Sequence, residues 1–309
     1  MRRAQPALPI EDLFSQCQRW QGRRASYRPT GEPFDRSRYH VDIAEYGEAK
    51  QFIENHHYAA SYVASRLQVG LWTKPTAFQK ERLVGVVAFS VPIQERAIPA
   101  WFGGISPRKG VEIGRIALAP EVPGNGETFT LSRAFRLLRR ELPEVDAVLS
   151  YADPMERRDE ADNVVKRGHT GVIYAAFSSV FLGRSSPRTL TLSRDGRCIN
   201  ERTLSKLRRG ERGAAYAERQ LVGMGAPPRA LFEDDAAYVA RALASGAFRT
   251  VRHAGNYAFG WWLGDPRATP LPPRDARRYP TETIASPFRS PVGAPAAVDA
   301  AATGHSLFA

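Results

Sequence analysis

The stretch Ala147-Val148-Leu149-Ser150-Tyr151 constrains the fold more than any other, because it is an apolar run of strand length that leads straight into Ala152-Asp153-Pro154. A strand this apolar is covered on both faces, so a layer of structure lies on each side of it. The neighbouring patterns supply those layers. Residues 41–44 form a short strand candidate, and 47–66 carries helical spacing through Ala49, Phe52, Ile53, Ala60, Val63 and Leu67. Residues 67–72 and 83–91 are β-branched and aromatic runs that predict a hairpin or meander, and 112–118 predicts another strand. A turn-rich segment then opens a basic helix over 128–141, which Pro143 stops. Residues 170–182 predict a short helix and 189–193 a strand. This order predicts an α/β fold: a mixed central sheet with helices on both faces.

Four regions follow along the chain. Residues 1–38 form a basic arm rich in Arg, Pro and Gln, with amphipathic hints of one short helix over 10–20. Residues 39–195 hold the core. Residues 196–285 hold a basic helical segment, a helix candidate at 236–244 and a late aromatic strand at 257–263 that completes the domain. The Pro- and Ala-rich tail 286–309 is expected to be disordered. No internal repeat is present.

The chain carries 44 Lys and Arg against 32 Asp and Glu, a formal charge of +12. Such an excess suggests a polyanionic partner, although solubility alone also accounts for it. The charge concentrates in 197–229, where Arg197, Arg202, Lys206, Arg208, Arg209 and Arg212 lead a run of eight basic residues against three acidic ones. Cys17 and Cys198 are the only cysteines, which excludes a disulfide framework and a Cys-rich zinc site. No run approaches the roughly 18 apolar residues a membrane span needs. No apolar stretch of signal-peptide length opens the chain, so a cytoplasmic location is expected.

Four short constellations can carry chemistry. The turn Pro123-Gly124-Asn125-Gly126-Glu127-Thr128 opens a helix, and backbone N–H groups at a helix start attract a phosphate or carboxylate; Thr128 as a plain helix cap is the alternative. Ser150-Tyr151-Ala152-Asp153-Pro154 puts polar groups at the end of a buried strand, where ligands collect in open sheets. An ordinary Asp-Pro turn is the other reading. Gly168-His169-Thr170-Gly171 places Tyr174 one turn into a helix, either as a proton donor or as a core aromatic. His56-His57-Tyr58 offers a base, a metal ligand, a stacking platform or a helix-end cap.

Taken together, Glu112-Ile113-Gly114-Arg115, Asn125-Gly126-Glu127-Thr128, Ser150-Tyr151-Ala152-Asp153-Pro154, Gly168-His169-Thr170-Gly171-Val172-Ile173-Tyr174 and the early His57-Tyr58 pair resemble the Mom family of phage DNA-modification proteins. That family is a divergent branch of the GNAT acyltransferases. The resemblance is clear over 39–195, with Gly183-Arg184-Ser185 and Arg188-Thr189 also fitting. It implies a GNAT-like core and transfer of a two-carbon carbamoylmethyl (acetamido) group to N6 of adenine in double-stranded DNA, which protects the DNA from restriction. By motif match, His57, Tyr58, Asp153 and Tyr174 are the implied catalytic residues, and Asn125, Gly126 and Thr128 hold the donor. The donor is acyl-CoA or another activated two-carbon compound, and iron is a candidate cofactor with His57 as its candidate ligand.

The chain departs from the family in three places: Thr128 stands where Ser is usual, 155–167 looks like an insertion, and Ala175 replaces an expected Gln. The usual GNAT pyrophosphate loop is also absent from 123–128. Two other readings of function remain beside this one: an N-acetyltransferase acting on a small-molecule or modified-base amine, and a non-catalytic DNA-binding accessory protein.

Overall fold

A computed structural model describes residues 16–22, 24–29, 31–265 and 279–280. The expected disordered tail and the first part of the arm lie outside them. In chain order, the first half runs β1 (Gln16–Gln21), β2 (Arg24–Pro29), β3 (Tyr39–Ile43), α1 (Tyr46–His56), β4 (Ser65–Thr73), β5 (Arg82–Ser90), α2 (Ala97–Trp101), β6 (Gly110–Leu118), α3 (Gly126–Glu141) and β7 (Ala147–Ala152). The second half runs β8 (Arg157–Arg158), β9 (Val164–Lys166), α4 (Val172–Ala176), β10 (Val180–Arg184), β11 (Arg188–Ser193), β12 (Cys198–Ile199), α5 (Glu201–Arg208), α6 (Ala214–Val222), α7 (Asp235–Ala244), β13 (Phe248–His253) and β14 (Tyr257–Trp262).

The expected α/β architecture is present. Seven strands form one sheet in the order β10-β14-β7-β6-β5-β4-β3. Only β6 and β7 run parallel, joined by the α3 crossover; every other pair is antiparallel. β5 shows why helices lie on both faces. Val84 and Val86 pack with Ala49, Phe52 and Ile53 of α1, while Val87 and Phe89 pack with Leu131, Ala134, Phe135 and Leu138 of α3. Alternate side chains of a strand point to opposite faces, so a run buried throughout needs a helix on each. Each such side chain contributes roughly 1.5–3 kcal/mol by leaving water.

The β6–β7 pairing is short and positions everything that follows. Its register covers only Gly110↔Ala147, Val111↔Val148 and Glu112↔Leu149. Beyond these pairs the two strands part. β14 stays with β7 through all six of its residues, from Tyr257↔Ala152 to Trp262↔Ala147, so β7 keeps one partner while its other edge opens.

Several expectations are corrected. The helix expected over 47–66 stops at His56, because His57 takes extended angles (φ −124°, ψ 137°), and 57–64 is loop. The helix expected over 170–182 is only α4; Ser178 at φ 55° reverses the chain, and Val180 and Phe181 then enter the sheet beside β14. In the arm, the described part of the expected short helix is a strand. β1 pairs with β2 around Gly22 at φ 53°, and Trp20 is buried. The insertion carries the small β8–β9 hairpin.

The basic segment forms α5 and α6, which pack Leu204, Leu207, Ala217 and Leu221 against Tyr238, Val239 and Ala242 of α7. A three-stranded sheet, β12-β11-β13, connects this helical unit to the core. Among the described residues, no helix is long and apolar enough to cross a membrane.

Candidate functional site

Where β6 and β7 part, a cleft of about 2550 Å³ opens; His57, Tyr58, Glu112, Asp153, His169 and Tyr174 all line it. Three of the sequence candidates therefore meet from three different elements: the loop after α1, the end of β7, and α4. Their side chains also feel one another. Burial raises the Tyr58 hydroxyl above its ordinary value and the Asp153 charge raises it further. Burial raises Tyr174 still more, past the range in which a phenol ionises in water, with Ser150, Tyr58 and Glu112 facing it. Tyr174 thus stays protonated and can donate a hydrogen bond. Its ring also packs on Phe259 and Trp261, as a core aromatic does, while the residue lines the cleft.

Asp153 is held from three sides. Its Oδ1 accepts from His253 Nε2 at 2.9 Å and from Met155 N–H at 3.0 Å, and its Oδ2 lies 3.2 Å from Lys166 Nζ. Burial alone would raise this carboxyl, but the Lys166 charge, the His253 hydrogen bond and the Arg157 charge outweigh it and hold the group well below the carboxylate range. Tyr58 joins the same cluster, 5.3 Å from Lys166 Nζ to its ring centre and 6.4 Å ring to ring from His169. Burial pushes both histidines beside it down, His169 to about 4 and His57 well below the imidazole range, so both are neutral at pH 7.

Glu112 is the opposite of Asp153. Its carboxylate makes no hydrogen bond or ion pair among the described residues, and burial raises it to about 7, with the Arg115 charge only partly offsetting this. Arg115 is itself engaged with Ser61, through Nε to the carbonyl at 2.9 Å and Nη2 to Oγ at 3.1 Å. Glu112, Lys166, His169 and His253 were not singled out from sequence as chemical groups. For Glu112 the signal was weak: an acidic residue early in an apolar strand, three before an Arg.

Of the turn 123–128, only Glu127 lines the cleft. Asn125, Gly126 and Thr128 sit at the start of α3 away from its lining; Asn125 takes the N-cap position, and Thr128 lies within the first turn, where its Oγ1 donates back to Asn125 O at 3.0 Å instead of capping the helix. The N–H of Gly124 donates to Glu32 Oε2 at 3.1 Å, and the buried Arg19 donates to Val122 O and Pro123 O and pairs with Glu127. A carboxylate from the arm already takes the Gly124 N–H and Glu127 adds a second negative charge, so the residues present do not fit a coenzyme pyrophosphate at this turn. They do not fit iron either. No group of three or more His, Cys, Asp or Glu among the described residues is arranged to hold a metal, and His57 Nδ1 accepts the Ala59 N–H at 3.1 Å.

The basic candidates divide. Arg197 pairs with Asp195, Arg202 and Arg209 with Glu211, and Arg208 with Glu201, whereas Lys206 and Arg212 have no ion pair among the described residues. Inside the cleft, Arg157, Arg167 and Arg188 are cations without a carboxylate partner among the described residues; Arg167 lies 4.6 Å over the Tyr27 ring and Arg188 donates to Asn256 at 3.1 Å. A cleft with aromatic walls, unpaired arginines, the clamped Asp153 and the buried, unpaired Glu112 suits a planar amine-bearing group attached to a polyanion.

The model of the Mom protein family matches residues 38–231. The methylcarbamoylase mom of Escherichia phage Mu is 26% identical over 169 residues, which cover 54% of this chain and 62% of that protein. Among solved structures, a tandem GNAT protein from the clavulanic acid biosynthesis pathway (without AcCoA) aligns over 74% of this chain and 76% of its own, with TM-score 0.31 and 9% identity.

Proposed function

This chain belongs to the Mom protein family, and on that premise we propose that it modifies double-stranded DNA by transferring a carbamoylmethyl group to N6 of adenine. One observation carries the reading: Tyr58, Asp153 and Tyr174, far apart in sequence, line one cleft beside the unpaired Glu112.

In the proposed reaction, the duplex binds through its phosphates and the target adenine leaves the stack, at a cost of a few kcal/mol. Tyr58 offers a ring for the extruded base to stack on. The exocyclic amine is a weak nucleophile because its lone pair is delocalised into the purine. Asp153, ionised at all working pH values, accepts one N6–H. As N6 attacks the CH2 of an activated carbamoylmethyl donor, the new N–C bond forms, the bond to the leaving group breaks with its electron pair, and the second N6 proton passes to Glu112. Tyr174 donates a hydrogen bond to the departing group. A base that titrates near the working pH suits this task, which Glu112 does and Asp153 does not.

The test is expression in a bacterial host, digestion of host DNA and mass spectrometry of the nucleosides. A new deoxyadenosine species, heavier by a carbamoylmethyl group and absent with Asp153→Asn, is expected. Normal nucleosides alone, with folded protein present, would overturn the reading. An acetylated small amine found instead would favour the N-acetyltransferase alternative.

A further inference from the structure

Two buried cations or cation-forming side chains surround Asp153 and cannot reach a substrate themselves. Lys166 is 1% exposed and His253 0%. Lys166 comes from the insertion, and His253 lies beyond the residues matched by the family model. Their hydrogen bonds are completely specified. Lys166 Nζ has three N–H bonds and three acceptors: Asp153 O at 2.9 Å, Met155 O at 3.0 Å and Asp153 Oδ2 at 3.2 Å. His253 Nδ1 accepts the Gly255 N–H at 2.9 Å, so its proton sits on Nε2, which donates to Asp153 Oδ1. Gly255 is at φ 106°, and a Cβ there would lie 1.9 Å from Ser185 O, so only glycine places that N–H.

We propose that Lys166 and His253 are positioning residues for Asp153, holding its carboxylate ionised and fixed in orientation so that it presents only acceptors to an amine in the cleft. The role of the cleft rests on the function proposed above; the state of Asp153 does not. An ionised carboxylate accepts from N–H donors, while a protonated one presents an O–H that repels them. Removing one member of a buried ion pair leaves the other charge uncompensated, and the carboxylate then takes up a proton. The other groups facing Asp153 are Arg157, His169, Tyr58 and Cys198. Of these only Arg157 is a permanent cation, and it makes no direct bond to Asp153 among those described. The insertion is thus part of the site: it replaces a free strand end with a clamp.

The experiment uses the full chain, labelled with ¹³C-carboxyl aspartate and ¹⁵N histidine, titrated by NMR as wild type, Lys166→Met, His253→Leu and His253→Gln. In the wild type, the Asp153 carboxyl should stay ionised from about pH 8 down to 4, and the His253 ring should show the Nε2–H tautomer. Lys166→Met and His253→Leu should raise the Asp153 titration by about 1–3 units. His253→Gln, which keeps an N–H donor, should restore it most of the way. Asp153 titrating at its ordinary value in the wild type, or unmoved by both Lys166→Met and His253→Leu, would overturn the proposal, as would a His253→Gln variant whose Asp153 titration matches that of His253→Leu. If Lys166→Met does not fold, the wild-type titration and His253→Leu against His253→Gln decide it. A wild type that shows the expected titration yet modifies no DNA refutes the proposed function and leaves the clamp standing.

Discussion

At the scale of the residue, the cleft sorts two carboxylates by environment. Asp153 is held by three donors, which leaves an acceptor site on Oδ2, and it stays charged; Glu112 has none among the described residues and waits near neutrality. Pairs of carboxylates pushed apart in this way divide acceptor and base roles between them. Glu112→Gln should therefore lower DNA modification by about 10²–10⁴-fold and abolish the rise of the rate with pH near 7, measured as modified deoxyadenosine formed per unit time. The same substitution should stabilise the fold, and the sign follows from linkage. Glu112 has an ordinary value of 4.5 and a folded value of about 7. Between these values the unfolded chain gives up its proton and the folded chain keeps it, so stability falls as pH rises and stays low above 7. At pH 8 the gain on removing the charge is roughly 2–3 kcal/mol, and it vanishes below the ordinary value. Denaturant unfolding at the two pH values measures it; equal stability at both would refute the assignment. Glu112 stood in the sequence within the motif Glu112-Ile113-Gly114-Arg115, but without a role, because its lack of partners is a property of the space around it. His57, Tyr58, Asp153 and Tyr174 could be given roles from their motifs.

At the scale of the element, the sequence located helices and strands well where one periodicity governs. α3 starts within two residues of its expected position, 126 against 128, and ends at the same residue, 141. Its Ala134, Phe135 and Leu138 recur on one face and Pro143 follows. Reading failed where a tertiary partner outweighed local pattern. Val180-Phe181-Leu182 continues a helical pattern, yet β14 offers it a sheet edge. The arm is the clearest case. Arg19, which looks like a solvated arginine, is 1% exposed and joins β1 to the turn before α3 through Val122 O, Pro123 O and Glu127. Arg19→Ala strands the Glu127 carboxylate and three hydrogen bonds, and should cost about 3–5 kcal/mol. Hydrogen exchange should show the amides of β1 and β2 losing protection first. Unchanged protection there would mean that the hairpin is held by other contacts, such as Trp20 and the Arg28–Glu32 pair.

At the scale of the whole molecule, the net charge of +12 is distributed unevenly in its usefulness. Much of the basic segment is neutralised locally by Glu201 and Glu211, whereas Arg157, Arg167 and Arg188 stand in the cleft without carboxylate partners among the described residues. DNA affinity should therefore fall by orders of magnitude between about 50 and 200 mM salt. Replacing Arg157 and Arg167 together with Ala should flatten that slope by about one to two phosphate contacts, more than replacing Arg202 and Arg208 does. A salt-indifferent affinity, or the reverse ranking of the two pairs, would remove the cleft as the phosphate-binding face. The sequence by itself determined the α/β class, the helix-covered central strand, the basic balance and the motifs, because these depend on side-chain type and on periods of two and 3.6 along the chain. Only the tertiary structure decided that β6 and β7 separate after three residue pairs, that Glu32 takes the Gly124 N–H before α3, and that Lys166 and His253 close on Asp153. Those are meetings between residues as many as 100 positions apart, and no local pattern encodes which distant partner arrives.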